Sequence, residues 1–226
     1  MISVCMASFN GAKYIKEQIE SILPQLPDDA EFIISDDGST DSTLEIIKSI
    51  NDKRIKVIAG PGKGVVKNFE NALMCARGDV VFLTDQDDTW REDKLSKVLE
   101  AFEDGTTECV LHDATVVDGE GNVIMPSFFR WRGVKHGLIH NILKNSYTGC
   151  CMAFTSVLKD AVLPFPESIE MHDWWIGLNA EKRGKALFVE DRLIAYRRHG
   201  QNTNSLDGYP LKRKIQNRIT FIKALI

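Results

Sequence analysis

A strand, a polar turn and an amphipathic helix follow one another four times before residue 105, and this rhythm restricts the fold more than anything else in the chain. Ile2-Ser3-Val4-Cys5-Met6-Ala7 reads as a strand, Ser8-Phe9-Asn10-Gly11 as its turn, and Ile15, Ile19, Ile22 and Leu23 recur at helical spacing up to Pro24. Glu31-Phe32-Ile33-Ile34-Ser35 begins the second unit, which turns at Asp36-Asp37-Gly38-Ser39-Thr40 and continues as a helix carrying Leu44, Ile46, Ile47 and Ile50. Asp41 or Thr40 is expected to cap that helix. A third strand, Ile55–Ile58, passes through Gly60-Pro61-Gly62-Lys63-Gly64 to a helix bearing Val65, Phe69, Leu73 and Ala76. The fourth strand, Val80–Leu83, precedes a helix expected over Arg91 to Phe102. Alternating units of this kind predict a mainly parallel α/β sheet with helices on both faces.

The fourth strand is a run of apolar residues that ends in Asp85-Gln86-Asp87-Asp88-Thr89-Trp90. Such a strand is buried on both faces, and its carboxyl end is where open α/β sheets place their chemistry. Packing gives no reason to gather three carboxylates within four residues. A divalent cation does, because hard cations take oxygen ligands and offset the mutual repulsion; a solvated acidic loop is the other reading. Asp36 and Asp37 also end a strand, so neighbouring parallel strands would bring both acid groups to one rim. There they would either accept hydrogen bonds from a ligand or simply form a capped turn.

Beyond about residue 104 the rhythm changes. Cys109–His112 and Thr115–Val117, a turn at Asp118–Asn122 and Val123-Ile124 suggest a hairpin. Pro126 to Gly137 reads as an irregular loop in which Phe128, Phe129 and Trp131 alternate with Arg130, Arg132, Lys135 and His136. Tyr147 to Phe154 reads as a buried strand, Met171-His172-Asp173-Trp174-Trp175 opens a helix to Lys182, and Ala186–Val189 and Leu193–Tyr196 read as two strands. The second ends in Arg197-Arg198-His199-Gly200-Gln201-Asn202, where His199 is a candidate metal ligand. Asp173 is either a carboxylate placed at a helix start by the dipole or a general base desolvated by the two tryptophans. Lys63 and Lys67 are candidate phosphate contacts on a weak glycine pattern.

Composition removes several classes. With 28 Lys and Arg against 32 Asp and Glu the net charge is −4, so nothing in the charge balance suggests nucleic acid as a partner. No apolar run approaches the roughly 20 residues of a membrane span, and the chain opens directly into a strand pattern, so a cytoplasmic protein is expected. The five cysteines, without a CxxC, read as reduced, small buried residues and support neither a disulfide framework nor a zinc site.

Taken together, Ser8-Phe9-Asn10-Gly11, Ser35-Asp36-Asp37-Gly38-Ser39-Thr40-Asp41, Gly78-Asp79, Asp85-Gln86-Asp87-Asp88-Thr89-Trp90, His172-Asp173-Trp174-Trp175 and Tyr196–Asn202 occur in the order found in inverting family 2 glycosyltransferases. The variant with DQDD and HDWW resembles the bacterial rhamnosyltransferase-like branch that builds surface polysaccharides. The resemblance covers residues 1 to 204 and implies a GT-A fold, a Rossmann-like, mostly parallel sheet with a smaller acceptor-side region, divided into a nucleotide-sugar half (1–104) and an acceptor half (105–204). It further implies that Ala7, Ser8, Asn10, Asp36, Asp37, Asp85 and Gln86 line the nucleotide site, that Asp87 and His199 hold a manganese or magnesium ion, and that Asp173 is the catalytic base. The donor would be a UDP- or dTDP-sugar and the acceptor a glycan or a lipid-linked molecule.

A rival from another class is a haloacid-dehalogenase-like phosphatase, since Val80 to Thr89 also fits hhhhDxDxT with Asp85 as nucleophile. In that family, however, the acidic pair follows the DxDxT strand, whereas Asp36-Asp37 precedes it here. Residues 205–226 form a separate segment, in which Pro210 starts a helix bearing Leu211, Ile215, Ile219 and Ile222 with Lys212, Arg213, Lys214, Arg218 and Lys223 around it. Two readings stand for that helix, one lying on an anionic membrane and one docked on the domain. Its pattern is still running at Ile226, so the helix is expected to continue in a longer chain.

Overall fold

The structure, a computed structural model, describes residues 1–200 and 210–225. Its elements follow the expected alternation at first: β1 (Ile2–Ser8), α1 (Ile15–Ile22), β2 (Glu31–Asp36), α2 (Thr43–Ile50), β3 (Ile55–Ala59), α3 (Val65–Cys75) and β4 (Val80–Asp85). After β4 come β5 (Thr89–Trp90), α4 (Lys94–Glu100), β6 (Cys109–Val117), β7 (Val123–Met125), α5 (Phe128–Arg132), α6 (Leu138–Leu143), β8 (Met152–Thr155), α7 (Ser156–Val162), α8 (His172–Lys182), β9 (Ala186–Arg197) and α9 (Leu211–Leu225).

The nine strands among the described residues join one sheet in the order β3-β2-β1-β4-β8-β6-β9-β5, with β7 paired to β6. The first four of these strands are parallel neighbours, as the βα rhythm requires. From β8 onward the sheet is mixed: β8 runs antiparallel to both β4 and β6, β9 is parallel to β6, and β5 is antiparallel to β9. The mixture has a topological cause, since β8 follows β6 without a crossover that would return the chain to the same end of the sheet. Val4, Cys5, Met6, Phe32, Ile33, Ile34, Val81, Phe82 and Leu83 are buried at the centre, so these strands are covered on both faces.

Four expectations are corrected in detail. Tyr147–Phe154 is not a continuous strand; a 3₁₀ turn over Gly149–Cys151 precedes β8. The two pieces between Ala186 and Tyr196 are one strand whose register shifts against β6 near Asp113. The loop from Pro126 to Gly137 contains α5, where Ser127 accepts a hydrogen bond from the Arg130 backbone N–H as a cap. The fourth helix is shorter than Arg91 to Phe102, beginning at Lys94 and ending at Glu100.

Helix α8 lies inside the molecule, with eight of its eleven residues buried. Its two tryptophans fix it in place: the Trp174 indole donates to the Asn141 carbonyl of α6 at 2.7 Å, and the Trp175 indole donates to the Val162 carbonyl of α7 at 3.0 Å. Gly177 faces the ring of Tyr147 so closely that an added methyl would come within 2.3 Å of it. In an exposed helix, replacing Gly by Ala gains about 1 kcal/mol. Here overpacking should reverse the sign. Gly177→Ala is expected to cost roughly 1–3 kcal/mol and to lower the unfolding midpoint by roughly 2–4 °C for each kcal/mol, read by thermal and denaturant unfolding. A raised midpoint would show that α8 does not pack this tightly.

Candidate active site

Parallel pairing of β2, β1 and β4 aligns their carboxyl ends. Ser8 sits opposite Asp36, and Ala7 opposite Asp85, so the acids of two strand ends flank the end of β1. Three loops are then laced together by side chains. The Gln86 side chain pairs with the Phe9 backbone, accepting from its N–H at 2.9 Å and donating to its carbonyl at 3.0 Å. This requires Gly11, because a Cβ there would fall 2.2 Å from Gln86 Oε1. Asn10, held at a φ of 49°, accepts from the Thr40 N–H at 2.8 Å, while its own N–H donates to Ser39 Oγ at 2.8 Å.

Asp36 is buried and accepts from the Ser8 hydroxyl at 2.8 Å, the Ser39 hydroxyl at 2.7 Å and the Ser39 N–H at 2.8 Å. It organises the turn. Asp37 points across to the loop after β3, accepting from the N–H groups of Gly62 at 2.7 Å and Gly64 at 2.8 Å. Both its oxygens thus have protein donors already, each with a lone pair left for a ligand. Of the candidate phosphate contacts, Lys67 pairs with Glu70 at 2.6 Å and Lys63 is exposed. Neither Asp41 nor Thr40 occupies the cap of α2, which is Ser42 without a side-chain capping bond; Asp41, one residue earlier, accepts from the Thr43 N–H at 3.0 Å.

The acids after β4 lie in a different environment. Burial, together with the nearby carboxylates of Asp87 and Asp173, pushes Asp85 up to about 7. Asp88 is 1% exposed and is raised well above the ordinary carboxylate range by burial and by Asp87 and Asp85. One of its oxygens accepts from the Arg197 N–H at 2.8 Å, and the other has no partner. The Cys150 thiol lies between Asp85 and Asp88, with ligand atoms of all three within 4.8 Å of one another. Asp87 and His199 meet through Oδ2 and Nε2 at 2.8 Å, and the His199 ring lies against Tyr14 with centroids 4.9 Å apart.

Crowded carboxylates, an unpartnered buried oxygen and an imidazole fit a divalent cation, with oxygen donors suited to magnesium or manganese. Asp173 belongs to the same region. In the first turn of α8 it accepts from the Trp174 N–H at 2.7 Å and from the Gly149 N–H, yet burial still raises it to about 7. His172 beside it is buried, stacked on Phe69 at 4.2 Å and lowered to about 3 by burial, as befits a neutral packing residue.

Four residues of this region were not singled out by motif. Lys94 is fully buried, donates to the Cys150 carbonyl at 2.9 Å and sits 4.1 Å from the Trp90 ring centroid, with burial lowering it to about 8. Arg197 donates through Nε to the Asp87 carbonyl at 2.8 Å and through its guanidinium to Glu17 at 2.8 Å. Gln18 donates to the Asp85 carbonyl at 2.9 Å from α1. Cys150 had read as an inert core thiol. None carries a sequence signal of its own, although Arg197 adjoins His199 in one motif.

Residues 3–163 match the glycosyl transferase family 2 domain. A glycosyltransferase of Nostoc sp. with no assigned reaction is 28% identical over 214 residues, which is 90% of this chain and 66% of that protein. Two solved structures share the fold. TarS of S. aureus in complex with UDP-GlcNAc superposes with a TM-score of 0.76 at 21% identity, covering 98% of this chain and 66% of TarS. The mannosyltransferase of Pyrobaculum calidifontis in complex with GDP-Man and Mn2+ has a TM-score of 0.67 at 20% identity, covering 89% and 58%. The chain therefore spans two thirds or less of each of these proteins. The motif order, the aligned strand ends and the matched domain leave the phosphatase reading without support, and the chain belongs to glycosyl transferase family 2.

Proposed function

We propose that this domain transfers a sugar, with inversion at the anomeric carbon, from a nucleoside-diphosphate sugar to a hydroxyl of a glycan or lipid-linked acceptor in bacterial surface polysaccharide synthesis. The observation that carries the reading is Asp173, a buried carboxylate raised to about 7 beside the acidic end of β4. A base poised near neutral pH is what an acceptor hydroxyl needs as it attacks.

In this reading the rim formed by Ala7, Ser8, Asn10, Asp36, Asp37 and Gln86 receives the nucleoside. Asp37 directs a free lone pair at a donor on the base edge, and Asp85 approaches the ribose. Asp87 and His199 would hold magnesium or manganese, which when bound neutralises charge on the departing diphosphate. Asp173 accepts the acceptor's proton at a carboxylate oxygen, and its burial beside the Gly149–Cys151 turn restricts water around it. Residues 1–104 would serve the donor and 105–204 the acceptor. Either a UDP- or a dTDP-sugar, hexosyl or rhamnosyl, suits this division, and the inner face of the plasma membrane is where such an acceptor would be met.

Two experiments test the assignment. Asp173→Asn should lower kcat by at least about a hundredfold, the ordinary scale of general base catalysis, while thermal stabilisation by the nucleotide survives. In the wild type kcat/KM should rise with pH and level off above about 7, following deprotonation of Asp173; an unchanged kcat in the variant removes Asp173 as base. For the metal, unfolding midpoints measured with UDP, dTDP, GDP and CDP, with and without manganese, should show a manganese-dependent rise for one diphosphate. A ligand at a hundred times its dissociation constant adds roughly 2.7 kcal/mol. Asp87→Ala should abolish the manganese dependence, and a variant retaining it would exclude Asp87 as a ligand.

A further inference from the structure

Helix α9 has two apolar faces. One is buried on the domain through Asn217, Phe221 and Leu225, with the Phe221 and Trp174 rings 4.5 Å apart and Lys182 donating to the Leu225 carbonyl. The other points away from the domain: Ile215, Ile219 and Ile222 are 49%, 48% and 41% exposed and share a helical face at i, i+4 and i+7. Docking on the domain therefore accounts for half of this helix and leaves a three-isoleucine stripe in water.

The stripe is continuous with α6. The Arg218 guanidinium donates to the Leu143 carbonyl at 2.9 Å, and α6 presents Leu143 at 59% and Ile139 at 78% exposure. Charge flanks this apolar surface on both sides. By helical geometry Lys212 and Lys223 lie along one edge of the stripe and Arg218 along the other, while Lys214 lies on the side of Phe221 and Leu225. The whole of α9 carries five basic residues and no acid, in a chain whose net charge is −4. Among the described residues no helix is long and apolar enough to cross a membrane.

We infer that the outer face of α9, extended by Ile139 and Leu143 of α6, is a docking surface for an anionic lipid bilayer. The isoleucines enter the acyl boundary while the basic residues along its edges meet lipid phosphates, the arrangement that holds an amphipathic helix in the plane of the interface. Charge complementarity selects this occupant, because a self-association face bearing only positive charge would repel its own copy. The inference is independent of the catalytic assignment, since vesicle binding requires neither donor nor acceptor.

The test is sedimentation of the whole chain with phosphatidylcholine vesicles, alone or containing about one third phosphatidylglycerol, at low and high salt. Binding is expected to the anionic vesicles only, and to weaken with salt. Lys212→Gln and Lys223→Gln should each reduce partitioning roughly fivefold, the factor that corresponds to about 1 kcal/mol per basic residue at an anionic surface. Ile219→Asp should abolish it, as should Ile139→Asp on the other helix, while unfolding midpoints and the nucleotide shift remain those of the wild type. Absence of vesicle binding, equal binding to neutral vesicles, or binding indifferent to these variants would overturn the inference. So would a dimer in solution that Ile219→Asp dissociates, which would assign the face to a second copy.

Discussion

Like charges crowded at one end of a sheet are the constraint on which this molecule turns. Two carboxylates 4 Å apart repel by roughly 4 kcal/mol at an effective dielectric of 20, and here Asp85, Asp87, Asp88 and Asp173 share one region, with burial raising three of them and repulsion adding to the rise of Asp85 and Asp88. Such a group persists only if the rest of the fold over-determines its position. The surrounding architecture is arranged to do this: β4 is covered on both faces, the Asp87 carbonyl and the Asp88 side chain are pinned by Arg197, and Lys94 places a buried ammonium under the Gly149–Cys151 turn.

The same constraint explains why the two halves of the chain cannot be separated. The acids of the strand ends come from β2 and β4, but Arg197 and His199 arrive from the end of β9 and Asp173 from the start of α8. The Gly149–Cys151 turn connects them, with Cys150 between Asp85 and Asp88 and the Gly149 N–H on Asp173. A proton or a cation held by one carboxylate changes the field at the others. The titrations of these carboxylates are thereby coupled within one network.

The periphery follows different physics. Hydrogen bonds among Ser8, Phe9, Asn10, Asp36, Ser39, Thr40 and Gln86 tie the loops of the rim to one another. At the opposite extreme, α9 buries one face through Phe221 and leaves another bare. An exposed apolar stripe of this kind marks a surface that something else covers.

The first half of the fold was legible because its strands and helices each bury a continuous apolar face. Period and turn chemistry then report the burial directly, from Ile2 through Phe102. The second half was less so. β9 reads as two strands because its register shifts against β6, and α8 carries no face periodicity because it is buried all round. At the site, the acids were legible as a group, since a run such as Asp85-Gln86-Asp87-Asp88 has no use in packing. Arg197, Lys94, Gln18 and Cys150 were not, because a buried lysine or thiol looks in sequence like any other. By itself, then, the sequence determined the βα scaffold, the family and the acidic strand end, all of which depend on residues close together along the chain. Only the tertiary structure decided that Asp88 keeps an unpartnered oxygen, that Asp37 reaches the Gly62–Gly64 loop, and that α9 exposes its isoleucines. These depend on which distant segments meet, and on how much water their meeting excludes.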